Sequence, residues 1–233
     1  MVLKGLTIEE QDFSTTKFFA IGDIHGCYKA LEKILSILPV SWGRDYVIFL
    51  GDYIDRGPDS AKVIDLIIKL QKKYPDKVIP LKGNHEKMFE DYLEEKNIEI
   101  FWFNGGEATL RSYMEYNDSK IPDEHVKFIK SLYYFFETPS YIFVHAGVNL
   151  EKTLYEQTEE DILWIRESFY TSPKKFSKTI IFGHTPFNEP FVKEDRIGID
   201  TGCVYGGMLT AIQLPERKFF HVTCEDMWRA YSF

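Results

Sequence analysis

The amino-acid sequence predicts an α/β layered protein, and three observations carry that expectation. Five short apolar runs, each rich in β-branched and aromatic residues, end in Gly or Ala close to Asp, Asn or His. Stretches with apolar residues at helical spacing separate most of these runs, and beyond residue 178 the pattern becomes mainly strand-like. Hydrophobic residues make up 44% and aromatics 16% of 233 residues, enough for a sizeable packed core.

The elements follow in order. The strand-like runs lie in "KFFAIGDIHG", "YVIFLGDYIDRG", "KVIPLKGNHE", "YIFVHAG" and "KTIIFGHTP". "YKALEKILSIL" (28–38) and "SAKVIDLIIKLQKKY" (60–74) are amphipathic helices by their spacing. "HEKMFEDYLEEK" (85–96) reads as a helix starting at the histidine, with further helices over 104–116, 122–132 and 159–169. "TIIFG", "EPFVK", "RIGID", "GGMLTAIQL" and "KFFHVTC" then read as successive strands. With no linker, repeat or low-complexity tract, residues 1–233 are expected to form one domain.

The formal net charge of −8, without a local Lys/Arg cluster, argues against nucleic acid as a partner. Every apolar run is far shorter than a membrane span, and "MVLKGLTIEEQDF" has acids where a signal peptide needs apolar residues. Three cysteines, at 27, 203 and 224, suggest a reducing compartment without a disulfide framework, so a cytoplasmic location is expected.

Ligands of open α/β sheets sit beyond the carboxyl ends of strands. The five strand ends here supply Asp23 and His25, then Asp52, then Asn84 and His85, then His145, then His184. His125 and His221 fall elsewhere and are assigned no function. Asp23 and His25 are two apart, so an extended segment points both to one side. A carboxylate beside an imidazole suits Mn, Fe or Zn. Seven such groups exceed the needs of one metal with open positions, but suit two metals sharing a carboxylate. Asp52, alone at its strand end, is the natural bridge. "GDIHG" or "GHTP" alone could be an ordinary turn. "GDYIDRGPDS" crowds three acids, an arginine and two glycines into one loop, which is harder to explain structurally.

Together, "GDIHG", "GDYIDRG", "GNHE", "HAG" and "GHTP" resemble the signature of the PPP-type serine/threonine protein phosphatases of the calcineurin-like metallophosphoesterase superfamily. "NGGEATLRSY" (104–113) and "GIDTGCVYGGMLTAI" (198–212) look like its bacterial branch. The resemblance implies a β-sandwich of two mixed sheets flanked by helices. It implies that Asp23, His25 and Asp52 bind one metal and that Asp52, Asn84, His145 and His184 bind a second, with Mn²⁺ expected and Fe or Zn as other candidates. It makes His85 the catalytic histidine, Asp55 its orienting carboxylate and Arg56 a phosphate-binding arginine. Lys82 stands where many family members have arginine and is expected to bind the substrate phosphate as a point charge, with Arg166 a candidate to supply the planar donor set that lysine lacks. An exposed helix arginine is the competing reading of Arg166.

The activity this implies is hydrolysis of phosphoserine and phosphothreonine monoesters by a metal-bridging hydroxide, with His85 protonating the leaving oxygen. The alternative is a symmetrical dinucleoside tetraphosphatase releasing ADP from diadenosine tetraphosphate, since that sister group shares the same ligand motifs. The expected partners are phosphorylated proteins or small phosphoesters, with no membrane. Cys27 is expected to be a small buried residue rather than a nucleophile.

Overall fold

Two six-stranded mixed sheets pack face to face, with helices covering their outer surfaces. A computed structural model provides the structure and describes residues 3–9, 15–118 and 120–224. In chain order the elements are β1 (Gly5–Thr7), β2 (Phe18–Ile21), α1 (Tyr28–Ile37), β3 (Tyr46–Phe49), α2 (Ser60–Lys73), β4 (Val78–Pro80) and α3 (Asn84–Leu93). Then come α4 (Ile98–Phe103), α5 (Gly106–Asn117), α6 (Asp123–Ser131), β5 (Phe135–Glu137), β6 (Tyr141–Val144), α7 (Glu159–Trp164) and α8 (Glu167–Tyr170). The chain continues through β7 (Thr179–Phe182), β8 (Phe191–Val192), β9 (Arg196–Gly198), β10 (Asp200–Thr201), β11 (Met208–Leu214) and β12 (Lys218–Thr223).

One sheet runs β1-β5-β6-β7-β9-β8, and the other β10-β11-β2-β3-β4 with β12 also paired to β11. In the second sheet β2, β3 and β4 are parallel, and in the first β6, β7 and β9 are parallel. The expected sandwich of two mixed sheets is therefore present.

The apolar runs are continuous rather than alternating because both faces of their strands are buried. Side chains alternate along a strand. Phe18 and Ala20 of β2 and Tyr46 and Ile48 of β3 therefore enter the layer between the sheets, with Phe143, Ile181, Ile197 and Ile212. Phe19, Ile21, Val47 and Phe49 face the other way, against α1 and α2. Each helix supplies one apolar face: Ala30, Leu31 and Ile34 from α1, and Val63, Ile64, Ile67 and Ile68 from α2. A smaller cluster under α7 and α8 covers the outer face of the first sheet.

Four features depart from the sequence reading. Strands β1 and β5 were not anticipated; each has three residues, too short to show a period, and β5 is held between β1 and β6. Helix α4, "IEIFWF", lies in a stretch to which the sequence reading assigned no element. It forms a short helix that buries Phe101 and leaves Phe103 90% exposed. The single helix expected over 159–169 is broken, because Ile165 is extended and separates α7 from α8. Finally, Cys203 and Cys224 form a disulfide, which corrects the expectation of none. β12 returns antiparallel along β11 and carries Cys224 back to the turn that holds Cys203, a proximity created by strand pairing across 21 residues. Cys27 is free and buried. No helix among the described residues is long and apolar enough to cross a membrane.

Candidate metal centre

The carboxyl ends of β2, β3 and β4 in one sheet meet those of β6 and β7 in the other, and the loops that follow carry the buried Asp23, His25, Asp52, Asn84, His85, His145 and His184. The backbone at this junction is unusual. His25, Asp52, Asp55, Arg56 and His184 all have positive φ, between 45° and 69°. Left-handed backbone in non-glycine residues is strained and persists where surrounding structure enforces it. Two glycines make room for the acids: a Cβ at Gly83 would collide with Asp52 Oδ1, and one at Gly183 with Asp23 Oδ1.

Hydrogen bonds fix the state of the imidazoles. His145 Nδ1 lies 2.8 Å from the Leu50 carbonyl oxygen, which only accepts, so Nδ1 carries the proton and Nε2 presents its lone pair. That Nε2 faces Asn84 Oδ1 at 2.9 Å, His184 Nδ1 at 3.2 Å and Asp52 Oδ1 at 3.3 Å. His25 Nδ1 likewise donates to the Ile54 carbonyl at 2.8 Å, which turns its Nε2 lone pair toward Asp52 Oδ2 at 3.4 Å. His184 Nε2 is buried without a hydrogen-bond partner.

Lone pairs crowded against lone pairs, with an orphaned buried nitrogen beside them, fit a divalent cation. Two groups could hold one: His25, Asp52 and His85, and Asp52, His145 and His184. Asp52 belongs to both, as a bridge must. The first group contains His85, where the sequence reading placed Asp23. The Asp23 carboxylate accepts the His184 backbone N–H at 3.0 Å.

The electrostatics agree. Burial holds the His25, His145 and His184 imidazoles below their ordinary range, His184 to about 2, so they are neutral and able to ligate. Burial pushes the Asp52 carboxyl up, and a proton on any of the surrounding imidazoles, His145 first, would draw it below the usual carboxylate range. Burial raises Asp23 well above that range, with Asp200 and Asp52 adding to the effect.

His85 is held differently. Its Nδ1 meets Asp55 Oδ2 at 2.6 Å, leaving Nε2 to face Asp52 Oδ2 at 3.9 Å. Asp55 is gripped in turn by Thr109, whose hydroxyl donates to Oδ1 at 2.6 Å and accepts the Asp55 N–H at 2.8 Å. Arg56 is exposed; its guanidinium donates to His25 Nε2 at 2.6 Å and lies 5.6 Å from the Tyr205 ring. Arg166, at the break between α7 and α8, donates to the His184 carbonyl at 3.0 Å, which puts a cation at the rim. The Lys82 ammonium instead pairs with Glu90 at 2.5 Å and borders a separate cavity with Lys4 and Lys130.

Three contributors escaped the sequence reading. Glu86 accepts the backbone N–H groups of Asp52, Tyr53 and Gly83 at 2.8, 2.8 and 2.9 Å, tying the loops after β3 and β4 together. Burial and the neighbouring Asp52 push its carboxyl up to about 8. Asp200 is buried close enough to Asp23 to raise that carboxyl, and burial pushes its own up to about 6. Thr109 is the third; its segment, "NGGEATL", was singled out without an assigned contact.

Residues 16–211 match the calcineurin-like phosphoesterase family. The chain belongs to that family. This phosphoesterase is 33% identical over 245 residues to a protein of Oceanobacillus iheyensis named as the asymmetrical bis(5′-nucleosyl)-tetraphosphatase PrpE, with 93% of the chain and 96% of the relative covered. A protein of Anoxybacillus flavithermus with the same name is 28% identical, with 91% and 96% covered. A crystal structure described as a candidate diadenosine tetraphosphatase superposes on the phosphoesterase with a TM-score of 0.76 at 22% identity, covering 95% and 98% of the two chains, a likeness of fold. These relatives overturn the expectation of a phosphoserine and phosphothreonine phosphatase. They favour the dinucleotide alternative, but their names specify asymmetrical cleavage where symmetrical cleavage was expected. The metal-ligand motifs mislead here because they encode phosphorus chemistry and carry no information on what is attached to the phosphate.

Proposed function

We propose that this phosphoesterase hydrolyses bis(5′-nucleosyl) tetraphosphates asymmetrically, giving a nucleoside triphosphate and a nucleoside monophosphate. The observation that carries the reading is the near full-length match to the Oceanobacillus relative. The converging lone pairs of His145, His184 and Asp52 support metal dependence.

In this reading Asp23, His25 and Asp52 hold one divalent ion, and Asp52, Asn84, His145 and His184 a second, with Mn²⁺ suited to the mixed oxygen and nitrogen donors. When bound, the metals supply Lewis acidity toward phosphoryl oxygens and acidify water. Asn84 contributes a neutral oxygen, so the second ion keeps more positive charge than it would beside another carboxylate. The imidazole of His85, oriented through Nδ1 by Asp55, carries at Nε2 the proton that goes to the departing phosphate oxygen. Arg56 offers a planar pair of donors to the non-bridging oxygens, and Arg166 adds positive charge from the opposite rim. Lys82 remains paired with Glu90.

The test is to incubate the Mn²⁺-loaded protein with diadenosine tetraphosphate and separate the products. Equal amounts of ATP and AMP are expected. ADP as the only product would reject the asymmetry. No turnover of the dinucleotide, alongside phosphate release from a phosphopeptide, would reject the substrate class.

A further inference from the structure

The geometry points to a nucleoside-binding subsite in the cavity on the far side of Arg56 from the metal centre, an inference that rests on the dinucleotide reading above and deepens it. The cavity has a volume of about 340 Å³, within the range of small-molecule pockets. Four segments distant in sequence enclose it: Cys27 before α1, the Arg56–Pro58 loop after β3, Gly105 with one face of α5 as far as Glu115, and the turn that carries Val204.

Its chemistry matches a base and sugar better than a second phosphate. Cys27, Pro58, Ala108 and Val204 give an apolar lining. Cys27 is buried and free, and it contributes as a small apolar group. The polar groups come from one face of α5, where Glu107, Arg111 and Glu115 recur every fourth residue. Arg111 pairs with Glu107 at 2.6 Å. Two carboxylates, Glu107 and Glu115, balance the two guanidiniums of Arg56 and Arg111, so the lining has no net positive charge to gather a second phosphate, and the carboxylates accept hydrogen bonds from ribose hydroxyls or an exocyclic amine.

Position completes the argument. Arg56 touches His25 on one side and lines the cavity on the other. A 5′-phosphate held by Arg56 at the metal centre therefore has its nucleoside one side chain away from the cavity. Tyr205 follows Val204 and is 58% exposed, with the Arg56 guanidinium over its ring, so it offers a flat face beside the opening.

The experiment is a calorimetric titration of the full chain with AMP and with ribose 5-phosphate, which share the phosphate and sugar and differ by the base. AMP is expected to bind about tenfold more tightly or better, the size of one base stacked on an aromatic side chain. Ala108→Phe, which fills the cavity, is expected to abolish that difference. Glu115→Ala, an exposed change, is expected to weaken AMP several-fold more than ribose 5-phosphate, and it decides the matter if Ala108→Phe does not fold. Equal binding of the two ligands, or a base preference that survives both substitutions, would overturn the subsite. Cleavage of diadenosine tetraphosphate without a base preference leaves the activity standing and removes the subsite. A base preference lost in Ala108→Phe, without dinucleotide cleavage, does the reverse.

Discussion

Two buried charged clusters in this molecule are built on opposite rules. Around Arg196, which is 1% exposed, donors and acceptors are matched. The guanidinium donates to both oxygens of Asp195, at 3.1 and 2.8 Å, and to the carbonyls of Phe169 and Lys174. At the strand ends around Asp52, acceptors face acceptors and His184 Nε2 has no partner. The first cluster is complete as folded and pins the segment around α8 to β9. The second leaves unmatched acceptors that a cation could satisfy. Burial alone therefore does not identify a functional site. The sign and direction of the unmatched groups do.

The sharpest way to break this contrast is at His85. His85→Asn is expected to lower turnover by about 10²–10⁴ while metal content, measured by elemental analysis, is retained. Loss of metal would make His85 a ligand, as its grouping with His25 and Asp52 allows, and would move it out of the proton-donor role. Next in size, Arg196→Met is expected to lower stability by about 3–5 kcal/mol, because the Asp195 carboxylate loses its guanidinium partner and the carbonyls of Phe169 and Lys174 lose their donor, although the Phe176 N–H still reaches Asp195. Denaturant unfolding measures this, and metal stoichiometry should not change. A parallel loss of metal would mean that the two clusters are coupled. Glu86→Gln is expected to weaken metal binding by about 10–100-fold, since the amide cannot accept three backbone N–H groups as the carboxylate does. Competition with a chelator reads that shift.

The smallest effect concerns an ordinary cap. Burial pushes the Asp161 carboxyl up, but Lys152 at 2.5 Å, Thr158 and Asn149 hold it at about 2, below its ordinary 3.8. A folded-state pKa below the unfolded one adds stability that is complete above pH 3.8 and lost as pH falls toward about 2. Asp161→Asn is expected to remove about 1 kcal/mol of stability at neutral pH and to flatten this acid limb in thermal melts taken at several pH values.

Much of the candidate site could be read in the chain because its residues follow strands that announce themselves. Asp23, Asp52, His145 and His184 come within a few residues of β2, β3, β6 and β7, and a strand run ending in Gly-Asp or Gly-His is a local signal. His125 and His221, left without a role, prove to be bonded to Tyr113 and Thr210. Glu86, Thr109 and Asp200 were missed because their work is to hold other residues. Nothing local marks Thr109 as the partner of Asp55, 54 residues earlier. The disulfide and strands β1 and β5 were missed for the same reason, since each exists only through a distant pairing.

The sequence by itself determined the layered α/β class, the residues that converge at the candidate metal centre and the membership of a phosphoesterase family, because periodicity and strand-end residues are local properties of the chain. The tertiary structure decided which imidazole nitrogens present lone pairs to the candidate metal positions, which carboxylate braces the loops, and where a cavity opens beside Arg56. Those outcomes depend on distances between segments far apart in the chain, and such distances are set only when both sheets and their helices pack together.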